Sequence, residues 1–314
     1  MTSNHEVNTL IAEQLGEWAQ ACDNYAALAD VKVKEFDVDG MHFKVQFNPA
    51  RAVSSGAKVD AASIKARKCF LCAENRPEVQ RGISWENEFT ILVNPFPIFP
   101  RHLTIPDNKH VPQVVEGSVG DMLQLASELS DYTVFYNGAR CGASAPDHFH
   151  FQAGNSDFLP LADNLEGIEM KEVSSHRGST LYLVDALPIK MFVIDADTPQ
   201  SGNLLFTELI HAMPKAEEDM EPMLNLLAYA TPTGTRLVVV PRKKHRPSFY
   251  GTEGDDCMLL SPAAVDMGGV FITPRLVDFE RFNEETIRKV IGELCLSTAE
   301  AEAIAAKLIE KTQA

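Results

Sequence analysis

The feature that most constrains this chain is the alternation His148-Phe149-His150-Phe151-Gln152. In an extended strand, side chains at every second position lie on the same face, so two imidazoles and an amide would share one face. The two phenylalanines would lie on the other face and anchor the strand in a core. Imidazole is largely uncharged near neutral pH and can attack an electrophilic phosphorus without prior deprotonation. The alternative is a strand whose polar face meets solvent.

Composition limits the classes of protein to consider. The 314 residues allow one large domain or two moderate ones, and 45% hydrophobic with 23% charged residues is ordinary for a soluble globular protein. A net charge of -16 argues against general nucleic-acid binding and against attachment to an anionic membrane. The first residues show no basic region followed by an apolar run, so we expect no secretion signal, and we find no stretch of membrane-spanning length. Six cysteines, two of them in one short motif, fit a reducing compartment, so we expect a cytoplasmic protein.

Hydrophobic periodicity predicts helices and antiparallel strands in alternation, which is an α+β pattern. The predicted elements are a helix over 5–30, a hairpin over 31–47 that turns at Asp39-Gly40, strands over 89–94 and 103–106, a helix over 113–130, strands over 132–137 and 148–152, one or two strands over 181–196, helices over 201–229 interrupted at Met213-Pro214, a strand over 235–241, and C-terminal helices capped by Asn283 and by Ser297 with Glu300.

One short pattern occurs twice. An apolar strand, a proline and basic residues precede His110 and again precede His245, which hints at an internal duplication. The second half contains no H-x-H pair, so a duplicated site there would lack the chemistry. We therefore predict two related halves, each an antiparallel sheet with flanking helices. The catalytic half would cover 1–165 and include the N-terminal helix and hairpin, and a degenerate half would cover 166–314.

Cys69 and Cys72 form a C-x-x-C pair, which could be a redox pair, half of a zinc site or a coincidence. No convincing strand precedes the pair, as a thioredoxin-like unit requires, and no second C-x-x-C exists. The histidines that could complete a zinc site are His110 and His148, with His42 and His102 as substitutes. Two thiolates and two imidazoles make a closed, structural site. It would clamp the cysteine loop onto the strand that carries His150; the alternative is reduced, unliganded cysteines.

Taken together, these residues resemble the transferase branch of the histidine-triad superfamily: hexose-1-phosphate uridylyltransferases, dinucleoside tetraphosphate phosphorylases and GDP-hexose phosphorylases. The resemblance runs from Cys69 to Gln152. A proline-flanked strand pair ends in a histidine and is followed by a helix and then by an asparagine and H-x-H-x-Q. Fainter similarity to the GDP-hexose phosphorylases continues over 261–272. The resemblance implies an α+β fold of two histidine-triad-like halves.

The resemblance also implies roles for single residues. His150 matches the family's nucleophile, and Gln152 matches the glutamine that replaces the third histidine of the hydrolytic members. The positions that match the family's zinc ligands are Cys69, Cys72, His110 and His148. Asn137 matches an asparagine that contacts the nucleotide phosphates. Ala145 stands where the uridylyltransferases have a small hydroxyl residue, with Ser144 one place earlier.

Donors must hold the phosphate groups of such a substrate. The backbone N–H groups from Gly142 to Ser144 can serve, together with Gln152. The candidate basic side chains are Arg51, Lys58 and Arg140, and a run at Lys243, Lys244 and His245 could line the far side of the pocket. Solvated surface positions explain these side chains equally well. Asp147 could orient an imidazole or cap a turn.

We therefore expect a nucleotidyltransferase that acts on a sugar nucleotide through a covalent nucleotidyl-histidine. The most specific expectation is a GDP-hexose phosphorylase with inorganic phosphate or a sugar phosphate as acceptor. The alternatives are a catalytically silent nucleotide-binding or zinc-stabilised scaffold and a dinucleoside polyphosphate hydrolase or phosphorylase. We expect neither a nucleic-acid nor a membrane partner, and a homodimer that completes the pocket is compatible with this superfamily.

Overall fold

The computed structural model describes residues 2–51, 60–252, 254 and 257–313. The helices are α1 (Asn4–Glu17), α2 (Ala19–Ala26), α3 (Ala61–Ala66), α4 (Val119–Glu128), α5 (Leu161–Leu165), α6 (Pro199–Ala212), α7 (Ala264–Met267), α8 (Leu276–Arg281), α9 (Glu284–Leu294) and α10 (Thr298–Gln313). The strands are β1 (Lys32–Val38), β2 (Met41–Phe47), β3 (Gly82–Trp85), β4 (Phe89–Val93), β5 (His102–Pro106), β6 (Tyr132–Asn137), β7 (His150–Asn155), β8 (Lys171–His176), β9 (Ser179–Val184), β10 (Met191–Ala196), β11 (Leu224–Thr231), β12 (Gly234–Pro241) and β13 (Val270–Thr273). Among these residues, no helix is both long and apolar enough to cross a membrane.

Within the described residues, ten strands form one antiparallel sheet in the order β3-β4-β5-β7-β6-β11-β12-β10-β9-β8. The two halves of this sheet have the same strand order, counted from each edge to the centre: the first, second and third strands of the half, then the fifth, then the fourth. One helix, α4 or α6, lies between the third and fourth strand of each half in the chain. The halves join at β6 and β11, where Asn137 pairs with Asn225. The predicted α+β class with two related halves is confirmed, with the difference that one sheet runs through both halves. The boundary at residue 165 stays a prediction.

The sequence match that suggested the duplication does not join equivalent strands. In the sheet, β5 corresponds to β10, and β12 corresponds to β7. His110 follows β5 and His245 follows β12, so the two histidines are not related by the repeat. Both segments look alike because each strand ends at a proline, Pro106 or Pro241, which lacks the N–H that a continued ladder needs.

Two predicted helices are wrong in part. The prediction over 201–229 fails beyond α6, because β11 is a central strand between β6 and β12. A short apolar run cannot be assigned to helix or strand by periodicity alone, and here the flanking strands decide. The predicted helix over 5–30 is divided into α1 and α2 at Trp18, whose backbone is extended.

The local turn and cap predictions are confirmed. Asp39 and Gly40 have φ values of 51° and 83°, as a tight hairpin turn requires. The Asn283 side chain accepts a hydrogen bond from the Thr286 N–H at 3.0 Å and caps α9. At the start of α10, the Glu300 carboxylate accepts from the Ser297 N–H at 2.7 Å, which completes the capping box.

The two faces of the large sheet bury different partners. Helices α1, α4, α6 and α10 cover one face and form an apolar core with Phe149 and Phe151 of the His148–Gln152 segment. The other face packs against a second sheet, β1-β2-β13, and helices α7, α8 and α9. Alternation along β7 therefore directs His150 and Gln152 to this second face, where the layers leave a cavity.

Candidate active site

His150 lies at the start of β7 and lines a cavity of about 500 Å³. Its Nδ1–H donates to the carbonyl oxygen of His148 at 2.8 Å, which leaves the lone pair on Nε2. Burial lowers the pKa of His150 to about 4, so the ring is neutral at physiological pH. The amide of Gln113 holds the strand here, since it accepts from the His150 N–H at 2.8 Å and donates to the His150 carbonyl at 3.0 Å.

A buried relay fixes the amide of Gln152. The Ile98 N–H donates to Nδ1 of His102 at 3.1 Å, so the His102 proton must be on Nε2. That Nε2–H donates to Oε1 of Gln152 at 3.0 Å, and Asn94 Nδ2 donates to the same oxygen at 3.3 Å. Burial lowers the pKa of His102 to about 3 and keeps this ring neutral. The Gln152 oxygen is thus occupied, and its NH₂ group is the part that remains for a ligand in the cavity.

A second relay, from the other half of the chain, orients Asn137 in the same way. Arg242 can only donate, and its Nη1 lies 2.6 Å from Oδ1 of Asn225. Asn225 must therefore present Nδ2 to Asn137, whose Oδ1 it reaches at 3.1 Å, and the Ala264 N–H donates to that same oxygen at 2.8 Å. Asn137 lines the cavity, so its NH₂ group is available as a second donor beside His150.

The loop between β6 and β7 brings its backbone to the cavity. Gly142 and Ser144 line it, as predicted, together with Ala143 between them. Gly142 has φ +102°, and a Cβ there would lie 2.5 Å from Cβ of Ala263. Only glycine allows this close contact between the first half and the start of α7.

The predicted basic residues have different positions. Arg51 lines the cavity, its Nη1 donates to the Phe96 carbonyl at 2.6 Å, and burial lowers the Arg51 pKa to about 10. Lys58 lies outside the described residues. Arg140 is exposed, bonded to the Asp219 carboxylate at 2.7 and 2.8 Å, and does not line this cavity, contrary to expectation.

The basic run of the second half is divided between surface and cavity. Lys243 and Lys244 form ion pairs with Glu300 and Glu293 at 3.4 and 3.1 Å, because both side chains extend away from the sheet to the C-terminal helices. His245 does line the cavity. Both halves of one chain therefore supply its walls, and the expected homodimer stays a prediction.

Cys69, Cys72, His110 and His148 form one cluster whose four ligand atoms all lie within 4.8 Å of one another. The contacts are Cys69 Sγ to His148 Nδ1 at 3.3 Å, Cys72 Sγ to His110 Nδ1 at 3.2 Å and Cys72 Sγ to His148 Nδ1 at 3.5 Å. In a tetrahedral zinc site, sulfur and nitrogen ligands are about 3.6 Å apart. The four residues fit a metal ion with this geometry.

Groups around the cluster match the needs of a metal site. His148 Nε2–H donates to the Asp107 carbonyl at 2.8 Å, which leaves Nδ1 free as a ligand. Asp147 bonds Arg67 at 2.5 Å, and its other carboxylate oxygen lies 3.8 Å from Nε2 of His110, which is beyond hydrogen-bond distance. Of the substitutes, His42 bonds Asp37 at the surface and His102 bonds Gln152; neither belongs to the cluster.

The sequence indicated the candidate nucleophile and the cluster but missed both relays. Asn94, Asn225 and Arg242 belong to no recognisable motif, and His102 was considered only as a metal ligand. One signal could have identified His102. It lies at the start of a predicted strand, and that strand pairs with the strand that carries His150.

Two family models cover the chain. Residues 10–155 match one described as Domain of unknown function (DUF4922), and residues 166–314 match one described as GDPGP1-like, C-terminal domain. No curated protein sequence matches at a significant level.

Solved structures share the fold. Yeast Ap4A phosphorylase Apa2 in complex with AMP has a TM-score of 0.59 at 18% identity, over 92% of this chain and 94% of that one. The same enzyme in complex with Ap4A has a TM-score of 0.56 at 18% identity, over 89% of this chain and 97% of that one. The second half of the chain thus matches the GDPGP1-like C-terminal domain, and the chain shares the fold of the yeast Ap4A phosphorylase.

Proposed function

We propose that this protein is a nucleotidyltransferase that acts on a sugar nucleotide as a GDP-hexose phosphorylase. Its reaction would pass through a covalent nucleotidyl-histidine at His150. The GDPGP1-like model over 166–314, the phosphorylase fold and the sequence motifs support this proposal. The cavity supplies the space that a substrate needs.

The observation that carries the proposal is the state of the His150 ring. Its Nδ1–H donates to a backbone carbonyl. No described residue forms a hydrogen bond with Nε2, and the His150 side chain lines the cavity. A neutral imidazole with a fixed tautomer is a nucleophile that needs no base. Nε2 attacks the α-phosphorus and expels a sugar phosphate, after which an acceptor removes the nucleotide.

The two oriented amides serve the transferred phosphoryl group. Gln152 and Asn137 both offer N–H donors because their oxygens are occupied by other groups. Donors that are fixed before reaction stabilise the charge that gathers on the phosphoryl oxygens. Glutamine donates a hydrogen bond but cannot act as an acid, which favours transfer to phosphate over general hydrolysis.

We propose zinc as the ion at the Cys69, Cys72, His110 and His148 cluster. Two sulfur and two imidazole nitrogen atoms lie within 4.8 Å of one another there, and this is a ligand set that zinc favours. With four protein ligands the site is closed, and zinc supplies rigidity rather than chemistry. It would fix the loop that carries Phe70 and Leu71, both of which line the cavity.

The test is a panel of GDP-, UDP- and ADP-hexoses, each incubated with the protein and analysed by intact mass. We expect a nucleotidyl adduct with the GDP-hexose, release of hexose-1-phosphate, and turnover that requires inorganic phosphate. His150→Ala should form no adduct while it retains the native melting temperature. A wild-type protein that binds these nucleotides without any adduct or product would contradict the proposal and support the scaffold alternative.

The similarity to Ap4A phosphorylase supports one second candidate substrate. The fold covers most of both chains, and that enzyme's structure holds Ap4A. The same panel should therefore include a dinucleoside tetraphosphate with and without phosphate. Faster phosphorolysis of that compound than of any sugar nucleotide would replace the GDP-hexose assignment and leave the nucleotidyl-histidine in place.

A further inference from the structure

The second half of the chain places a fixed arginine in the wall of the active-site cavity. Arg246 and Ser261 both line the cavity that contains His150. Arg246 Nε donates to Oγ of Ser261 at 2.9 Å, and its guanidinium carbon lies 4.1 Å from the ring centroid of Tyr250. One polar contact and one stacked ring therefore hold the guanidinium plane. Among the described residues, its two terminal nitrogens have no partner.

This arginine is close to the β6–β7 loop, whose backbone N–H groups are candidate donors to the substrate phosphates. Ser261 is followed by Pro262 and Ala263, and Ala263 contacts Gly142 so closely that a Cβ at Gly142 would lie 2.5 Å away. Gly142 and Ser144 line the same cavity as His150. The Arg246 wall thus adjoins the β6–β7 loop, and the two halves of the chain meet across one space.

The surroundings are positive although the chain is acidic. Burial, together with the charges of Arg246, Arg242 and Arg140, lowers the pKa of His245 to about 4. Arg246 and Arg51 thus line the cavity of a chain whose net charge is -16. Such a local field favours a phosphate dianion at this wall.

We propose that Arg246, held by Ser261 and Tyr250, binds the phosphate group that departs from the nucleotide and the inorganic phosphate that replaces it. This proposal rests on the proposed function of His150. In phosphoryl transfer the attacking and departing atoms lie on opposite sides of phosphorus, so both phosphates occupy the side away from His150.

The two steps use this subsite in turn. First, His150 Nε2 forms an N–P bond while the bond from the α-phosphorus to the bridging oxygen breaks, and the electron pair departs with the sugar phosphate. Second, an oxygen of inorganic phosphate forms a new P–O bond, the N–P bond breaks and its electron pair returns to Nε2. The products are a sugar phosphate and a nucleoside diphosphate.

The test separates discharge to phosphate from discharge to water. Purified nucleotidyl-protein is prepared from wild type and Arg246→Gln, and loss of the adduct is followed by intact mass over a range of phosphate concentrations. At low phosphate we expect Arg246→Gln to discharge about 50-fold more slowly, because two charge-assisted hydrogen bonds are lost. Discharge to water should be unchanged, since water needs no cation.

Three variants complete the design. Arg246→Lys keeps the charge without the planar fork and should recover part of the rate. Ser261→Ala keeps the arginine but removes its Nε acceptor, so it should slow phosphate discharge about fivefold, as a freed guanidinium loses part of its orientation. Arg288→Gln makes the same charge change on an exposed arginine of α9 that pairs with Asp39, and should behave as wild type.

The outcomes distinguish this proposal from the proposed function. If wild-type protein forms no adduct, the function of His150 is wrong. If the adduct forms and Arg246→Gln discharges to phosphate at the wild-type rate at every concentration, the subsite proposal is wrong and the function stands. An equal slowing of phosphate and water discharge would also overturn it, because that result indicates a structural role.

Discussion

Replacement of His102 by phenylalanine tests how the active site orients Gln152. The variant keeps a ring of similar size in a fully buried position but removes both hydrogen bonds of the relay. Oε1 of Gln152 then retains only the Asn94 contact at 3.3 Å, and the amide can turn its oxygen toward the substrate. An oxygen there repels a phosphoryl oxygen where an N–H would bind it.

The structure sets the size of the effect. A hydrogen bond to a charged group contributes about 1.5–3 kcal/mol, so loss of the oriented donor should slow formation of nucleotidyl-His150 about 10- to 100-fold. The Ile98 N–H also loses its acceptor inside the protein, which should lower the free energy of unfolding by about 1–3 kcal/mol.

The assay is the rate of adduct formation at low sugar nucleotide for wild type, His102→Phe, Gln152→Ala and the double variant. Because His102 acts through Gln152, we expect it to change the rate less than about twofold once Gln152 is alanine. A melting curve for each variant confirms that it is folded. Effects of the two single variants that multiply in the double variant would refute the relay.

Three further predictions concern stability. Burial raises the pKa of Glu221 to about 7 from an ordinary 4.5, so its contribution to stability is present below pH 4.5 and is lost as pH rises through 7. The Glu221 carboxylate accepts from the Val115 N–H at 2.9 Å and from the Tyr136 hydroxyl at 2.7 Å; in Glu221→Gln the amide oxygen can accept from Val115 and the NH₂ group can donate to the Tyr136 hydroxyl. In urea titrations this variant should lie within about 1 kcal/mol of wild type at pH 5 but exceed its free energy of unfolding by about 3 kcal/mol at pH 8; an equal difference at both pH values would contradict this. Purified protein should contain one zinc per chain by elemental analysis. Cys72→Ser should lose the metal and melt about 5–10 °C lower. Full metal content in Cys72→Ser would exclude Cys72 as a ligand. Gly154→Ala should lower the free energy of unfolding by about 1–3 kcal/mol, because the new Cβ would lie 2.4 Å from the Phe99 ring. Gly292→Ala, where a Cβ would have no atom within 4 Å, should be neutral or stabilising. Similar urea midpoints for the two variants would show that the Phe99 ring moves aside without cost.

Motifs set by local geometry were predictable. Alternation along β7 separates His150 and Gln152 from Phe149 and Phe151, since a strand repeats every two residues whatever surrounds it. The hairpin turn and the helix caps followed for the same reason, because each depends on neighbours in the chain. The C-x-x-C pair and the resemblance together indicated the candidate metal ligands, and the folded chain brings those four residues together.

Choices between chemically similar residues were not predictable. Arg140 lies nearer to His150 in sequence, yet it pairs with Asp219 outside the cavity, whereas Arg246 lines it. An arginine's sequence context does not show which carboxylates the fold will bring to it. The helical prediction over 201–229 failed in its last part for a similar reason, because β11 lies between two strands of the sheet and pairs with both.

The sequence by itself determined which side chains share a strand face, where turns and caps occur, and which atoms could act as nucleophile and metal ligands. Only the tertiary structure decided how the amides of Gln152 and Asn137 point and which half of the chain completes the cavity. Side-chain periodicity follows from backbone geometry within a few residues. The orientation of an amide instead depends on donors such as His102 and Asn225, which lie 50 and 88 positions away and approach only when strands pair in a definite register.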